Sequence, residues 1–243
     1  MTPEHFRNRS VTDVFEPGST VKPFTMSMAL ASGRFSVETP VSTSPGIHYI
    51  GRDPVRDIHD YGDLTLGGVL VKSSNVGTAK VAMELAPEEL YGILAKVGFG
   101  QATGIELPGE VDGSLLKRER WRPIEHATLS FGYGLSSTSV QLARAYAVLA
   151  SGGVLRPVTL KRQVGKVPGK QVLSGETAHQ INALLEQVVL RHQQLQLRLH
   201  LFLSNQRIKR LRATPALGAP RHQSTGARGR VHPVVTAQAL VAR

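Results

Sequence analysis

All 18 Asp and Glu residues of this 243-residue chain lie before position 190, while residues 190–243 carry ten Lys or Arg with no acid to balance them. Such a block repels itself and has little reason to pack. Folding is therefore expected of residues 1–189, and residues 190–243 are expected to be a basic tail, disordered or translated out of frame. The body holds 19 basic and 18 acidic residues, so the formal charge of +11 belongs to the tail and does not describe a basic binding face on the body. The absence of cysteine excludes disulfide scaffolds, thiolate zinc sites and cysteine nucleophiles. No apolar run reaches the roughly 18 residues of a membrane span, and Met1–Arg7 lacks the apolar stretch of a signal peptide. No membrane helix or signal peptide is expected within this sequence.

The body reads as alternating elements punctuated by Gly and Pro. A helix is predicted from the Pro17-Gly18-Ser19 turn to Gly33, which would sit just past its end. Four prolines in residues 37–61 predict loops with short strands. Leu64–Ser73 and Val76–Ala86 predict two short helices on either side of Ser74-Asn75, and Pro87 opens a helix ending near Gly98. A Gly-rich loop follows over residues 98–113. Thr138 and Gln141 form a capping box, with Ala143, Tyr146, Ala147 and Ala150 on one face of the helix behind it. Val154–Val164 is strand-like. Ile181, Leu184, Leu185 and Val188 mark a last amphipathic helix ending near Val189. The alternating Leu195, Leu197, Leu199, Leu201 and Leu203 could pass for a strand.

Two polar clusters carry candidate chemistry. Ser19 and Lys22 are three apart at a predicted helix start, which puts both on one face. A serine hydroxyl needs a base to become a nucleophile, and a lysine serves once burial lowers its pKa. The helix start adds backbone N–H groups and a positive dipole end for a developing oxyanion. Alone, Ser-x-x-Lys also fits a helix cap beside a surface lysine. Ser73 and Asn75 lie on a turn between two helices, two residues apart and facing the same way. They are suited to bridge the Lys22 ammonium and to grip a substrate amide, although a plain polar turn reads the same.

Together these clusters resemble a known family. Asp13-Val14-Phe15-Glu16-Pro17-Gly18-Ser19-Thr20-Val21-Lys22-Pro23-Phe24, Val71-Lys72-Ser73-Ser74-Asn75-Val76-Gly77 and Thr128-Leu129-Ser130-Phe131-Gly132-Tyr133-Gly134-Leu135 occur in one order, followed by Gln141-Leu142-Ala143 and Tyr146-Ala147. Residues 7–189 are thereby similar to the transpeptidase domain of class B penicillin-binding proteins of the division-specific, FtsI type. The resemblance implies an α+β fold of the serine β-lactamase/transpeptidase kind, with an antiparallel sheet against helices. It implies Ser19 as acylated nucleophile, Lys22 as its proton acceptor, Ser73 as proton relay and Asn75 as substrate-binding residue. The implied substrate is the D-Ala-D-Ala end of a peptidoglycan stem peptide, which β-lactams mimic. No metal or organic cofactor is implied. Divisome partners and an inner-membrane location facing the periplasm follow by family analogy.

The sequence departs from the family in one motif. A Lys-Thr-Gly or Lys-Ser-Gly triad should follow the last amphipathic helix, but Lys209, the one lysine beyond Val189, precedes Arg210-Leu211. The helical half is therefore expected to be present and the sheet incomplete. Two other readings follow: an inactive truncated or frameshifted fragment, and a basic-tailed protein binding nucleic acid or an anionic membrane surface. Phe202 is the lone aromatic of the tail, so specific nucleic-acid recognition is not expected. Gly98–Gly104 approaches a dinucleotide fingerprint with the wrong spacing and reads as a loop. His48, His59 and His126 lack metal-ligand spacing. Trp121, between Arg120 and Arg122, reads as a packing anchor, and Tyr133 is expected beside the cleft.

The tail favours Arg over Lys nine to one, against eleven to eight in the body. A shifted frame in GC-rich DNA would produce both this bias and the loss of acids. The underlying nucleotides are expected to encode a Lys-[Ser/Thr]-Gly triad in another frame within a few dozen codons of position 190. If neither alternative frame holds one, the tail is genuine sequence.

Overall fold

The computed structural model describes residues 7–116, 121–165 and 167–213. The chain divides into two units, residues 1–196 and 197–243. The first unit is built around one buried helix. A 3-10 turn, Gly18–Val21, feeds directly into α2 (Lys22–Ala31), and every residue from Lys22 to Ala29 is buried. A helix enclosed on all sides must be packed all round. Around it lie α3 (Leu66–Lys72), α4 (Asn75–Met83) and α5 (Pro87–Val97). Leu90, Leu94 and Val97 of α5 share the core with Phe24, Met26 and Met28 of α2. Phe24 meets Phe99 and Tyr146 edge-on, at ring-centroid distances of 5.6 and 5.5 Å. Tyr146 lies on α7 (Ser139–Ala150), and Ile181 and Leu184 of α8 (Gly175–Ala213) close the core. The short α1 (Arg9–Thr12) and α6 (Pro123–Ser130) complete the helices.

The strands pair antiparallel in twos. β1 (Pro40–Ser42) joins β4 (Asp63–Thr65), and β2 (Ile47–Ile50) joins β3 (Asp53–Arg56) through the two-residue loop Gly51-Arg52. β5 (Ser114–Leu115) joins β6 (Leu135–Ser136), and β7 (Val154–Leu155) joins β8 (Lys170–Gln171). Among the described residues no sheet is wider than two strands. The helical half is thus in place beside a fragmentary antiparallel component, a partial α+β fold of the kind the resemblance implies.

Most predicted elements stand where the sequence put them, including the capping box. Gln141 N donates to Thr138 Oγ1 at 3.2 Å, and Thr138 N donates to Gln141 Oε1 at 2.7 Å. Three readings need correction. The strand expected over Val154–Val164 pairs through Val154 and Leu155 alone, because Pro157 cannot donate to a ladder. Leu64 and Thr65, expected to open a helix, pair instead with β1. The last helix does not stop near Val189: no Gly or Pro interrupts residues 176–213, and α8 continues to Ala213 with the alternating leucines inside it. Leu, Gln and Arg all favour helix, so alternation alone did not decide for strand. The reading of residues 214–243 as disordered or out of frame lies outside the described residues, as does Arg120.

One glycine fixes the approach of the α6–β6 loop to the 3-10 turn. Gly132, at φ +90°, accepts the Gly18 N–H at 3.0 Å, and a Cβ there would meet Gly18 O at 1.9 Å. Gly134, at φ +85°, has open space around its missing Cβ. Gly134→Ala should therefore cost only the left-handed backbone penalty, about 1–2 kcal/mol. Gly132→Ala should add a steric displacement and cost at least about 3 kcal/mol in urea denaturation. Equal losses for the two variants would refute the close approach.

Candidate active site

Ser19, Lys22, Ser73 and Asn75 converge on one point, the Lys22 ammonium. Its Nζ donates to Ser19 Oγ at 3.0 Å, Ser73 Oγ at 2.9 Å, the Ser73 carbonyl at 2.6 Å and Asn75 Oδ1 at 2.8 Å. Local structure explains how residues 51 and 53 positions away arrive there. Ser73 ends α3 in the left-handed region, at φ 57° and ψ 41°, which turns its carbonyl and hydroxyl toward the same side. Ser74 then caps α4, its Oγ accepting the Gly77 N–H at 2.8 Å, so Asn75 begins a new helix facing Lys22.

Four oxygens around one amine restrict its chemistry. The Ser73 carbonyl and Asn75 Oδ1 can only accept, so they occupy two N–H bonds whatever the charge. One further tetrahedral direction serves the two hydroxyls. In the ammonium it carries a proton, and in the neutral amine it is a lone pair able to take one from Ser19 or Ser73. Lys22 is 1% exposed. Burial brings its pKa down to about 8, against a smaller upward pull from Asp57. The amine is thus poised within reach of neutral pH.

The surroundings hold both ends of the site. Asn75 Nδ2 donates to the Arg56 carbonyl at 3.1 Å, which fixes the side-chain amide with its oxygen toward Lys22. Each end of that amide retains a second hydrogen-bonding position for a substrate. Ser19 sits in the first turn of a helix, where backbone N–H groups lack intrahelical acceptors and suit an oxyanion. The Tyr146 hydroxyl donates to the Thr20 carbonyl at 3.0 Å. Tyr133 is half exposed between Gly132, bonded to Gly18, and Gly134, whose N–H donates to Glu16 Oε1 at 2.9 Å. Its loop is fastened on both sides to the segment that bears Ser19.

Asp57 was not visible to sequence reasoning. It lies just past β3, and its carboxylate accepts from Ser74 Oγ, Asn75 N and Val76 N at 2.5, 2.5 and 3.1 Å. The other singled-out residues stay outside the cluster. Trp121 packs against the core, stacks on His126 at 5.9 Å and donates to the Leu116 carbonyl. Among the described residues no three His, Asp or Glu side chains gather as a metal site would require.

Comparison with known proteins identifies the family. Residues 2–200 match the family model described as the penicillin-binding protein transpeptidase domain, and the chain belongs to that family. The probable peptidoglycan D,D-transpeptidase PenA of Neisseria meningitidis is 43% identical over 185 residues, 76% of this chain and 32% of that protein. The peptidoglycan D,D-transpeptidase FtsI of Escherichia coli is 41% identical over 187 residues, 77% of this chain and 32% of that protein. The transpeptidase-domain structure of penicillin-binding protein 3 from Burkholderia pseudomallei superposes with a TM-score of 0.73 at 45% identity, covering 76% of this chain and 56% of that one. The chain spans about a third of the length of these named relatives.

The lowered Lys22 pKa has a consequence for stability. Its folded value, about 8, lies below the ordinary 10.5, so between these pH values the unfolded chain binds more protons. Stability from this group must therefore rise with pH across that window, and the full burial penalty applies below pH 8. Subtracting the urea-derived stability curve of Lys22→Met from that of the parent isolates this contribution, since the half-buried Tyr146 affects both chains alike. A difference that is flat or falling from pH 8 to 10.5 would contradict the burial-lowered amine.

Proposed function

We propose that this chain carries the acyl-transfer site of a peptidoglycan D,D-transpeptidase, with Ser19 as nucleophile. The observation that supports this most is the single shared direction on Lys22 Nζ, aimed at the Ser19 and Ser73 hydroxyls. Neutral Lys22 takes the Ser19 proton as Oγ attacks the carbonyl carbon of the penultimate D-alanine. The new C–O bond puts negative charge on the carbonyl oxygen, beside the Ser19 N–H in the first helical turn. Collapse breaks the peptide bond, and the departing D-alanine nitrogen receives a proton from Ser73, which Lys22 replaces. The amine of a neighbouring stem peptide then attacks the Ser19 ester, runs the same transfers in reverse and leaves the cross-link. Asn75 holds the substrate backbone through the second positions of its amide. A β-lactam enters at the first step, opening its ring onto Ser19 Oγ.

On this reading the chemistry belongs at the periplasmic face of the inner membrane, in septal wall synthesis with divisome partners, a proposal supported by kinship with FtsI. Among the described residues no helix is long and apolar enough to cross a membrane.

The 243 residues contain no Lys-Thr-Gly or Lys-Ser-Gly triad. By family resemblance that strand supplies a second oxyanion donor and a lysine for the substrate carboxylate. A polypeptide of these residues alone should acylate about 10²–10³-fold more slowly than a site with both donors. Incubation with a labelled penicillin followed by peptide mass spectrometry should find slow, stoichiometric label on Ser19. The rate should rise about tenfold per pH unit below about 8 and level off above it, as neutral Lys22 accumulates. Label on another residue, or its persistence in Ser19→Ala, would overturn the assignment.

A further inference from the structure

The β2–β3 hairpin reaches the site through two consecutive residues at its exit. Arg56 offers its carbonyl to Asn75 Nδ2, and Asp57 offers both carboxylate oxygens to the turn that begins α4. Asp57 is itself anchored, its N–H donating to the Gly46 carbonyl at 2.9 Å. Resting on the reading of Lys22 as the proton acceptor, we propose that Asp57 is a positioning residue for the reaction: it clamps the Ser73–Asn75 turn onto Lys22 from outside and brings a carboxylate to the turn that holds that amine.

The geometry gives Asp57 two separable effects. As an acceptor, it collects the Ser74 hydroxyl and the first two amides of α4, groups that a helix start leaves without partners. With those bonds made, the turn is held so that the Ser73 carbonyl and Asn75 Oδ1 both face Nζ. As a negative charge, it favours the ammonium and so opposes the effect of burial on Lys22. The remaining elements around Nζ supply neutral groups. The 3-10 turn and α2 bring Ser19, the α3–α4 turn brings Ser73 and Asn75, and Tyr146 of α7 bonds to Thr20. Asp57 is the carboxylate whose pull on Lys22 acts against its burial.

The two effects separate by substitution. Asp57→Asn keeps an acceptor oxygen of the same shape and removes the charge, whereas Asp57→Ala removes both. Titration of Lys22, followed by NMR of Cε in ¹³C-lysine-labelled protein, needs no turnover and so stands apart from the acylation test. The midpoint is expected to move below about 8 in Asp57→Asn. A midpoint that stays or rises there overturns the proposal. Amide hydrogen exchange at Asn75 and Val76 is expected to stay protected in Asp57→Asn and to quicken about tenfold or more in Asp57→Ala, as one charge-assisted hydrogen bond is lost. Unchanged exchange in Asp57→Ala overturns the clamp. Should neither variant fold, the same two amides in the unmodified chain decide it: slow exchange supports the clamp, and exchange at the rate of open-loop amides overturns it.

Discussion

The structure depends on one buried amine. Enclosing Lys22 in the middle of the helical core is costly, because an isolated ammonium away from water loses far more solvation than packing returns. The cost is met in two ways at once. Four oxygens converge on Nζ, and the proton itself is held loosely, with the pKa brought down to about 8. Remove the oxygens and the core would contain an unpaired charge; remove the burial and the lysine would be an ordinary surface cation with no use as a base. The Ser19 turn, the left-handed end of α3 and the start of α4 all bring an oxygen to this amine.

Left-handed Ser73 shows how far the fold goes to meet it. A non-glycine residue at φ 57° carries a penalty of about 1–2 kcal/mol. An extended or helical backbone at this position would point carbonyl and hydroxyl in different directions. The strained conformation ends α3, frees Ser74 to cap α4, and delivers two oxygens of one residue to Nζ. Gly132 makes a comparable accommodation on the other side, leaving out a side chain so that its loop can press against Gly18. Both irregularities sit against the Ser19 turn rather than in the outlying strands, as expected where strain is retained for positioning.

How much of this was legible in the sequence follows from the range of each interaction. Ser19 and Lys22 are one helical turn apart, so their meeting could be read from spacing. The capping box at Thr138 and the helix opened by Pro87 are equally local and stood where predicted. That Ser73 and Asn75 should meet Lys22, more than fifty residues away, was suggested by their spacing on a turn, but a plain polar turn reads the same, and likeness to known sequences decided between the two. Asp57 belonged to neither kind: it lies in a proline-containing stretch with short strands, and an isolated aspartate there resembles any turn residue. The errors have the same origin. Val154–Val164 looked like a strand because its residues favour one, but a strand exists only where a partner pairs with it, and Pro157 withholds its N–H. The leucines after Val189 alternated as a strand does, yet nothing in that segment interrupts the helix already begun at Gly175.

The distribution of these contacts separates two tasks that an acyl-transfer site must perform. Activating Ser19, on the proposed reading, would draw on the hydrogen-bonded set of Lys22, Ser73, Asn75, Arg56 and Asp57, all set by helices, turns and one hairpin within the first unit. Gripping the substrate carboxylate and completing the oxyanion site falls, by family resemblance, to a sheet strand bearing a Lys-[Ser/Thr]-Gly triad. Proton transfer needs sub-ångström order among a few atoms, and buried helices with fixed caps supply it without help from a wide sheet. Substrate binding needs an edge along which an extended peptide can lie, which helices cannot offer, because their backbone groups are already paired. Among the described residues the hydrogen-bonded cluster proposed for the first task is in place, while the strands pair only in twos. On the proposed reading, activation of Ser19 is therefore a matter of local packing around α2, separate from the strand that would hold the substrate.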